Sequence, residues 1–199
     1  MENRLFSRFE KHLNIEGFSF PWYDLETTSS TMEVAQALVR EGCPPWTVIT
    51  AAHQSSGRGT HGRSWSSRPG KGLWLSVILP PPREAADLSG LTTDCAYALV
   101  QTFAAFADCP FSIKHPNDVV ASGRKIAGIL VESATEEGAV RSVILGMGVN
   151  LLQTREDFSG DGLPDATSLL IETGSAPDRE HFLKRYIEQL HSMYTVKYG

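Results

Sequence analysis

Between Gln54 and Trp65 the sequence reads QSSGRGTHGRSW, in which Gly57, Gly59 and Gly62 are interleaved with Arg58 and Arg63. Glycines let backbone N–H groups approach a phosphate closely, and a guanidinium can grip two anionic oxygens at once. The spacing is neither the phosphate loop nor the dinucleotide fingerprint, because the segment after it reads as strand and not helix. A flexible hairpin loop is an equal alternative at this point. Trp65 reads either as a ligand shield or as the residue that pins the loop to a core. No Asp or Glu occurs from Gly42 to Arg83, whereas Arg58, Arg63, Arg68, Lys71 and Arg83 all do, in a chain of net charge -5. A local positive field on an acidic protein suits one anionic ligand better than a nucleic-acid backbone.

A second group lies in IKHPNDVVASGRKIAGILVE, where Lys114, Asn117, Asp118, Arg124 and Lys125 crowd around two turns. Lys125 opens an apolar run, Ile126, Ala127, Ile129, Leu130 and Val131. A lysine at the mouth of a buried strand is costly unless an anion meets it, and the alternative is a solvated hairpin with snorkelling lysines. Gly128 inside the run suggests close approach of a ligand or another backbone. The third group is LGMGVNLL. Gly146 and Gly148 clear one face of a strand, either for something flat or for a neighbouring helix, and the Asn150 amide could read a base edge. His12, His53, His181 and His191 have no partners at ligand spacing, so no metal cage is expected.

These groups need elements to position them. Residues 22–27 and 46–53 read as strands, separated by a helix with Ser30 as N-cap, Glu33 as its capping-box partner and Gly42 as its stop. Residues 72–80 read as a strand able to pair with 46–53, the glycine loop closing one end. Leu91, Cys95, Leu99, Phe103 and Phe106 recur at helical spacing and predict a helix over residues 87–107. Three strands follow, with a hairpin at Gly123, then a strand over 139–152. Asp178 caps a closing helix with the stripe Phe182, Tyr186, Ile187, Leu190 and Tyr194. Residues 1–13 read as helix-like and charged. Hairpin-connected strands with helices at the ends predict an α+β fold on a mixed, largely antiparallel sheet.

At 199 residues, 41% hydrophobic and 21% charged, the chain suits one domain with one core. Cys43, Cys95 and Cys109 are odd in number and lack metal spacing, which predicts structural thiols in a reducing compartment. No signal-like or membrane-length apolar segment occurs, so a cytoplasmic protein without membrane contact is expected.

SSTMEVAQAL, QSSGRGTHGRSW, GLWLSVIL, KHPNDVVASGRKIAGILVES, LGMGVNLL and ATSL, in this order from about Trp22 to about Tyr194, closely resemble the catalytic domain of biotin protein ligases, within the biotin and lipoate ligase family. The resemblance implies one catalytic domain over residues 1–199, with no N-terminal DNA-binding domain and no C-terminal β-barrel. It implies a two-step reaction: biotin and Mg-ATP give biotinyl-5'-AMP and pyrophosphate, and a lysine of a biotin carrier domain then attacks the mixed anhydride. The partners implied are biotin, ATP and the carrier domain of a biotin-dependent carboxylase, without nucleic acid; a homodimer stays open. Carried onto matching positions, Lys125, Arg58 and Arg63 are catalytic. Ser30, Thr31, Met32, Gln54, Gly57, Arg58, Gly59, Thr60, Lys125 and Gly128 form the biotin pocket. Arg58, Arg63, Trp65, Lys114, Asn117, Asp118, Lys125 and Asn150 meet ATP and the adenylate, Mg2+ arriving on the triphosphate and not on protein ligands. The sequence departs from the family pattern at Thr60, usually arginine, at His115, usually tryptophan, and at Met32, usually asparagine. A lipoate or octanoate ligase, or a non-catalytic binder of biotin or adenylate, are the rival readings.

Overall fold

The computed structural model describes residues 10–15, 17–82, 84, 86, 88–137 and 139–199. Its centre is an eight-stranded sheet in the order β1-β2-β3-β4-β8-β7-β6-β5. The strands are β1 Glu10–Ile15, β2 Phe18–Thr28, β3 Thr47–Gln54, β4 Gly72–Leu79, β5 Phe111–Lys114, β6 Asp118–Ala121, β7 Arg124–Glu136 and β8 Ala139–Asn150. Every pairing is antiparallel except β2 with β3, which run parallel because helix α1, Thr31–Arg40, crosses between them. The expected mixed, largely antiparallel α+β fold is what the chain adopts.

The helix-like reading of the first residues fails where it can be checked. Residues 10–13 belong to β1, paired with β2 from Glu10↔Tyr23 to Ile15↔Phe18. Leu13 is buried while His12 and Asn14 are exposed, a period of two that a dense local charge pattern disguises. Pairing with a long neighbour overrides local helix preference. Residues 1–9, Arg83 and Asp87 lie outside the described residues.

Two faces of the sheet are covered differently. On one, Leu73, Leu75, Val77 and Leu79 of β4 meet the predicted stripes of α2, Leu88–Ala104, and α5, Arg179–Tyr198. Leu99, Phe103, Phe182, Tyr186 and Leu190 are all fully buried there. Each such side chain contributes about 1.5–3 kcal/mol by leaving water. On the other face α1 packs Val34, Ala35 and Leu38 against Tyr23, Ile49, Ile78 and Ile144. The helix covers only part of this face. Beyond its N-terminus the sheet stays uncovered by helix, and the glycine loop falls there.

Two turns set the geometry around β7. Ser122 and Gly123 both have positive φ, 50° and 79°, which two-residue hairpins need and which glycine supplies freely. This confirms the hairpin read at Gly123. Two short helices were not foreseen: α3, Arg155–Gly160, and α4, Leu169–Thr173. Thr154 and Asp157 cap α3 reciprocally. The capping box expected for α1 is rearranged. Ser30 Oγ accepts from Met32 N at 3.3 Å, while the Glu33 carboxylate takes the hydroxyl of Ser29.

Candidate functional site

The sheet register puts Gly128 of β7 directly beside Gly148 of β8, with Trp74 of β4 beyond it. This row has no side chain over its middle, and the flat object lying on it is the indole of Trp65. A Cβ on Gly128 would stand 2.7 Å from Trp65 Cζ3, and one on Gly148 would overlap Cε2. Trp65 is held there by its backbone N–H, which donates to Gly57 O at 2.8 Å, and meets Trp74 edge to face at 6.4 Å. The pinning reading of Trp65 is the one its contacts support. It pins the loop, and its ring lines a cavity of about 240 Å³ that runs along this face.

At one end of the cavity lie the carboxyl ends of the parallel pair, where Thr28↔Gln54 is the last register position. Open sheets with a parallel crossover place ligands at this point. Gln54 Oε1 accepts from Thr31 N at 2.8 Å and Thr31 Oγ1 at 3.1 Å, and Ser76 Oγ donates to Thr31 Oγ1 at 2.9 Å. Ser30 caps α1 alongside, so this corner combines hydroxyls, an amide and the positive end of a helix. Met32 fills the space above Gly146: a Cβ there would be 2.6 Å from Met32 Sδ. One of the two alternating glycines thus serves a packed methionine and the other a packed tryptophan.

The cations are held by partners both near and far in sequence. Arg58 Nη2 donates to Glu132 Oε1 at 2.7 Å, and Gln36 Nε2 holds the other carboxylate oxygen at 2.9 Å. Arg63 bends back within its own loop, giving Nε to Thr60 O at 3.2 Å and Nη2 to Thr60 Oγ1 at 2.9 Å. Lys125 Nζ lies 2.7 Å from Asp118 Oδ1 and 5.2 Å from the centre of the Trp65 ring. Its backbone is tied on both sides, Lys125 N to Asp165 O at 3.0 Å and Thr167 N to Lys125 O at 2.8 Å. A lysine side chain that is 35% exposed, with one acid beside it and a void ahead of it, keeps donor capacity for an anion.

The far end is apolar with two amides. Phe158, Leu163 and Ala166 form its wall, and Asn150 and Gln153 line it. Asn150 Nδ2 donates to Thr167 O at 3.0 Å, and its Oδ1 accepts from Gln153 Nε2 at 2.9 Å. The Asn150 amide is therefore partly committed to the protein. This wall is clamped to the segment after the loop by Arg68, whose Nη2 and Nε reach Asp161 at 2.6 and 3.2 Å, with Ser66 Oγ on the same carboxylate at 2.6 Å. Hydrogen bonds from Arg68 and then Ser66 hold Asp161 below the usual carboxylate range. Asp157 is held low as well, chiefly by the Thr154 backbone N–H and further by Lys71, whose Nζ is 3.2 Å away. Glu172 is also low: burial opposes its charge, but hydrogen bonds from Thr167, Arg124 and Ser122 outweigh it.

Of the residues singled out by sequence, the cavity wall brings together Ser30, Thr31, Met32, Gln54, Arg58, Gly59, Thr60, Arg63, Trp65, Asn117, Lys125, Gly128 and Asn150. Three fall elsewhere. Gly57 lies under the loop, where a Cβ would be 2.6 Å from Trp65 O, and Asp118 stands behind Lys125. Lys114 is exposed at the end of β5 and off the wall. Asn117 is structural in part, its Nδ2 donating to Ile129 O at 3.2 Å. Glu132, Asp161 and Gln153 were missed.

A mixed sheet with a glycine–arginine loop roofing a cavity, a lysine in its wall and two amides at its end is an arrangement suited to an acyl anion and a nucleotide. The chain belongs to the biotin/lipoate A/B protein ligase family, whose sequence profile matches residues 25–150. The bifunctional ligase/repressor BirA of Bacillus spizizenii is 38% identical to it over 178 residues, 85% of this chain and 55% of that protein. The biotin--[acetyl-CoA-carboxylase] ligase of Mycobacterium tuberculosis is 36% identical over 149 residues, 73% of this chain and 53% of that protein. The chain thus spans a little over half the length of these relatives. Among solved structures, the biotin protein ligase from Aquifex aeolicus in complex with biotin and ATP superimposes with a TM-score of 0.73 at 28% identity, covering 88% of this chain and 71% of that one.

Proposed function

We propose that this chain is an ATP-dependent biotin protein ligase, which joins biotin to AMP and passes the biotinyl group to a lysine of a carrier domain. The observation that carries this is Lys125, whose ammonium stands 2.7 Å from Asp118 and beside the Trp65 ring in the wall of a cavity also lined by Ser30, Thr31, Gln54, Asn150 and Gln153. On this reading biotin takes the corner of Ser30, Thr31 and Gln54 and adenine the side of Asn150 and Gln153, so that the carboxylate and the α-phosphate meet beside the ammonium.

In the first step a carboxylate oxygen of biotin attacks the α-phosphorus and pyrophosphate leaves. Negative charge gathers on the phosphoryl oxygens, and an ammonium already in place stabilises it without reorganisation. Asp118 and the two backbone bonds of Lys125 set that position. Arg58 can keep Glu132 through Nη2 while its other N–H groups turn to phosphate, and Arg63 has donors left beyond Thr60. Mg2+ enters on the substrate side, as the counter-ion of the triphosphate. Trp65 and the loop above it exclude water that would hydrolyse the mixed anhydride. In the second step a neutral amine attacks the acyl carbon, AMP leaves, and the amine proton is released.

The test is exchange of labelled pyrophosphate into ATP with biotin, lipoate or octanoate supplied in turn. Biotin-dependent exchange, followed by labelling of a biotin carrier domain, is the expected result. Exchange driven by lipoate or octanoate instead would reassign the acid, and none with any acid would leave a binder without turnover.

A further inference from the structure

Strand β8 does not accompany β7 to its start. Their register begins at Ala127↔Val149, and beside Lys125 the place of β8 is taken by residues 165–167, which bridge to it in parallel at Lys125↔Ala166. The same strip holds the Asn150 amide, whose Nδ2 donates to Thr167 O at 3.0 Å. The strip belongs to no strand, and a carboxylate outside the sheet ties it down. This is Glu172 of α4, with a side chain only 5% exposed. Its Oε1 accepts from Arg124 Nη2 at 2.6 Å and from the hydroxyl of Thr167, and the Ser122 hydroxyl is a third donor to the same carboxylate. Arg124 is the residue before Lys125 in β7, and Thr167 is bonded to Lys125 across the strip.

We propose that Glu172 is a positioning residue: its carboxylate grips Arg124 and Thr167, on two sides of Lys125, and thereby sets where the Lys125 ammonium stands in the cavity wall. This rests on the proposed role of Lys125 and adds the residue that holds it. Glu172, Arg124 and Thr167 are not part of the cavity wall, so they act through Lys125 and not on substrate. A buried carboxylate that takes three donors is a stiff joint, because losing any one of them leaves charge uncovered away from water. The backbone of Lys125 is committed to the strip at both groups, Lys125 N to Asp165 O at 3.0 Å and Thr167 N to Lys125 O at 2.8 Å, so a shift of the strip moves the backbone that carries the ammonium. Asp118, 2.7 Å from Nζ, fixes the tip of the side chain and leaves its base to the clamp.

The experiment uses Glu172→Ala and Thr167→Val, the second keeping the pair of Glu172 with Arg124 should the first not fold. Amide hydrogen exchange is read at Lys125 and Thr167 without substrate. Biotin-dependent pyrophosphate exchange at saturating biotin and ATP is read in each variant, with and without Lys125→Ala. Protection of the two amides is expected to fall by about tenfold or more beyond any loss shared by the amides of β3 and β4. The saturated rate is expected to fall by about tenfold or more, since a misplacement of about 1 Å can cost about 100-fold, with the KM for biotin within about twofold of the wild type. On Lys125→Ala the same substitution is expected to cost less than about twofold, because the group it places is gone. Equal fold losses in the two backgrounds would make Glu172 a general support and overturn the proposal, as would unchanged protection or a wild-type rate in a folded variant. Because protection is read without substrate, it decides the clamp even where no acid supports exchange, a result that counts against the ligase reading alone.

Discussion

Thr60 shows how a departure from a family pattern can be absorbed locally. Its carbonyl and hydroxyl both take donors from Arg63, so the threonine restrains one loop cation in place of supplying another. The resemblance puts an arginine at this position, so the loop carries one guanidinium fewer than the resemblance implies. A charge-assisted contact to phosphate contributes about 1.5–3 kcal/mol. Thr60→Arg adds that charge and frees Arg63 from the hydroxyl, and is expected to slow adenylate release and reduce labelling of bystander proteins, with little change in adenylation rate. A filter assay of retained biotinyl-adenylate, with streptavidin blotting of a bystander, checks this; unchanged release would show that the loop already holds its intermediate by other groups. At this scale Arg58, Lys125 and Asn150 were legible in the sequence from their type and surroundings, whereas Gln54 came only from the family resemblance. Their partners were not. Glu132 reaches Arg58 across 74 residues, and Asp161 reaches Arg68 across 93, through sheet and helix packing that no local spacing encodes.

Among the elements, those with strong local signals were read well. Helix α1 begins at Ser30 and ends near Gly42, and α5 starts where Asp178 caps it, Oδ1 accepting from Glu180 N at 2.9 Å and His181 N at 3.2 Å. β1 was misread because its identity comes from pairing with β2, not from its own residues. α3 was missed although Thr154-x-x-Asp157 is a capping-box spacing, because the helix is a turn and a half long and runs at once into Gly160-Asp161-Gly162. The glycines of β8 were read as clearing a face, and it is filled by Met32 of α1 over Gly146 and by Trp65 of the loop over Gly148. Gly148→Ala forces a methyl into the Trp65 indole, and overpacking of this kind costs about 1–3 kcal/mol. The expected outcome is a lower Tm together with faster tryptic cleavage at Arg58 and Arg63, as the loop loses its anchor. A variant with wild-type cleavage rate would mean that Trp65 is not what fastens the loop.

Over the whole molecule, charge follows the same division as the fold. No Asp or Glu occurs from Gly42 to Arg83, and Arg58, Arg68 and Lys71 within that stretch are met by Glu132, Asp161 and Asp157 from the second half of the chain. Asp161 is depressed by Arg68 and Ser66, so its stabilising contribution is complete above the ordinary aspartate value of about 3.9 and is lost as pH falls through the lower folded value. Melting curves of the wild type and Asp161→Asn should therefore differ at pH 7 and converge in acid. A constant difference across that range would remove Asp161 from the account. The central claim is that the cavity activates a carboxylate with ATP and that Lys125 stabilises the charge that develops. The most direct measurement is biotin-dependent exchange of labelled pyrophosphate into ATP by the wild type and by Lys125→Ala, with circular dichroism and Tm confirming a folded variant. A loss of about 100-fold or more in exchange rate, with the fold retained, is the predicted result; exchange at the wild-type rate in a folded Lys125→Ala protein would contradict it.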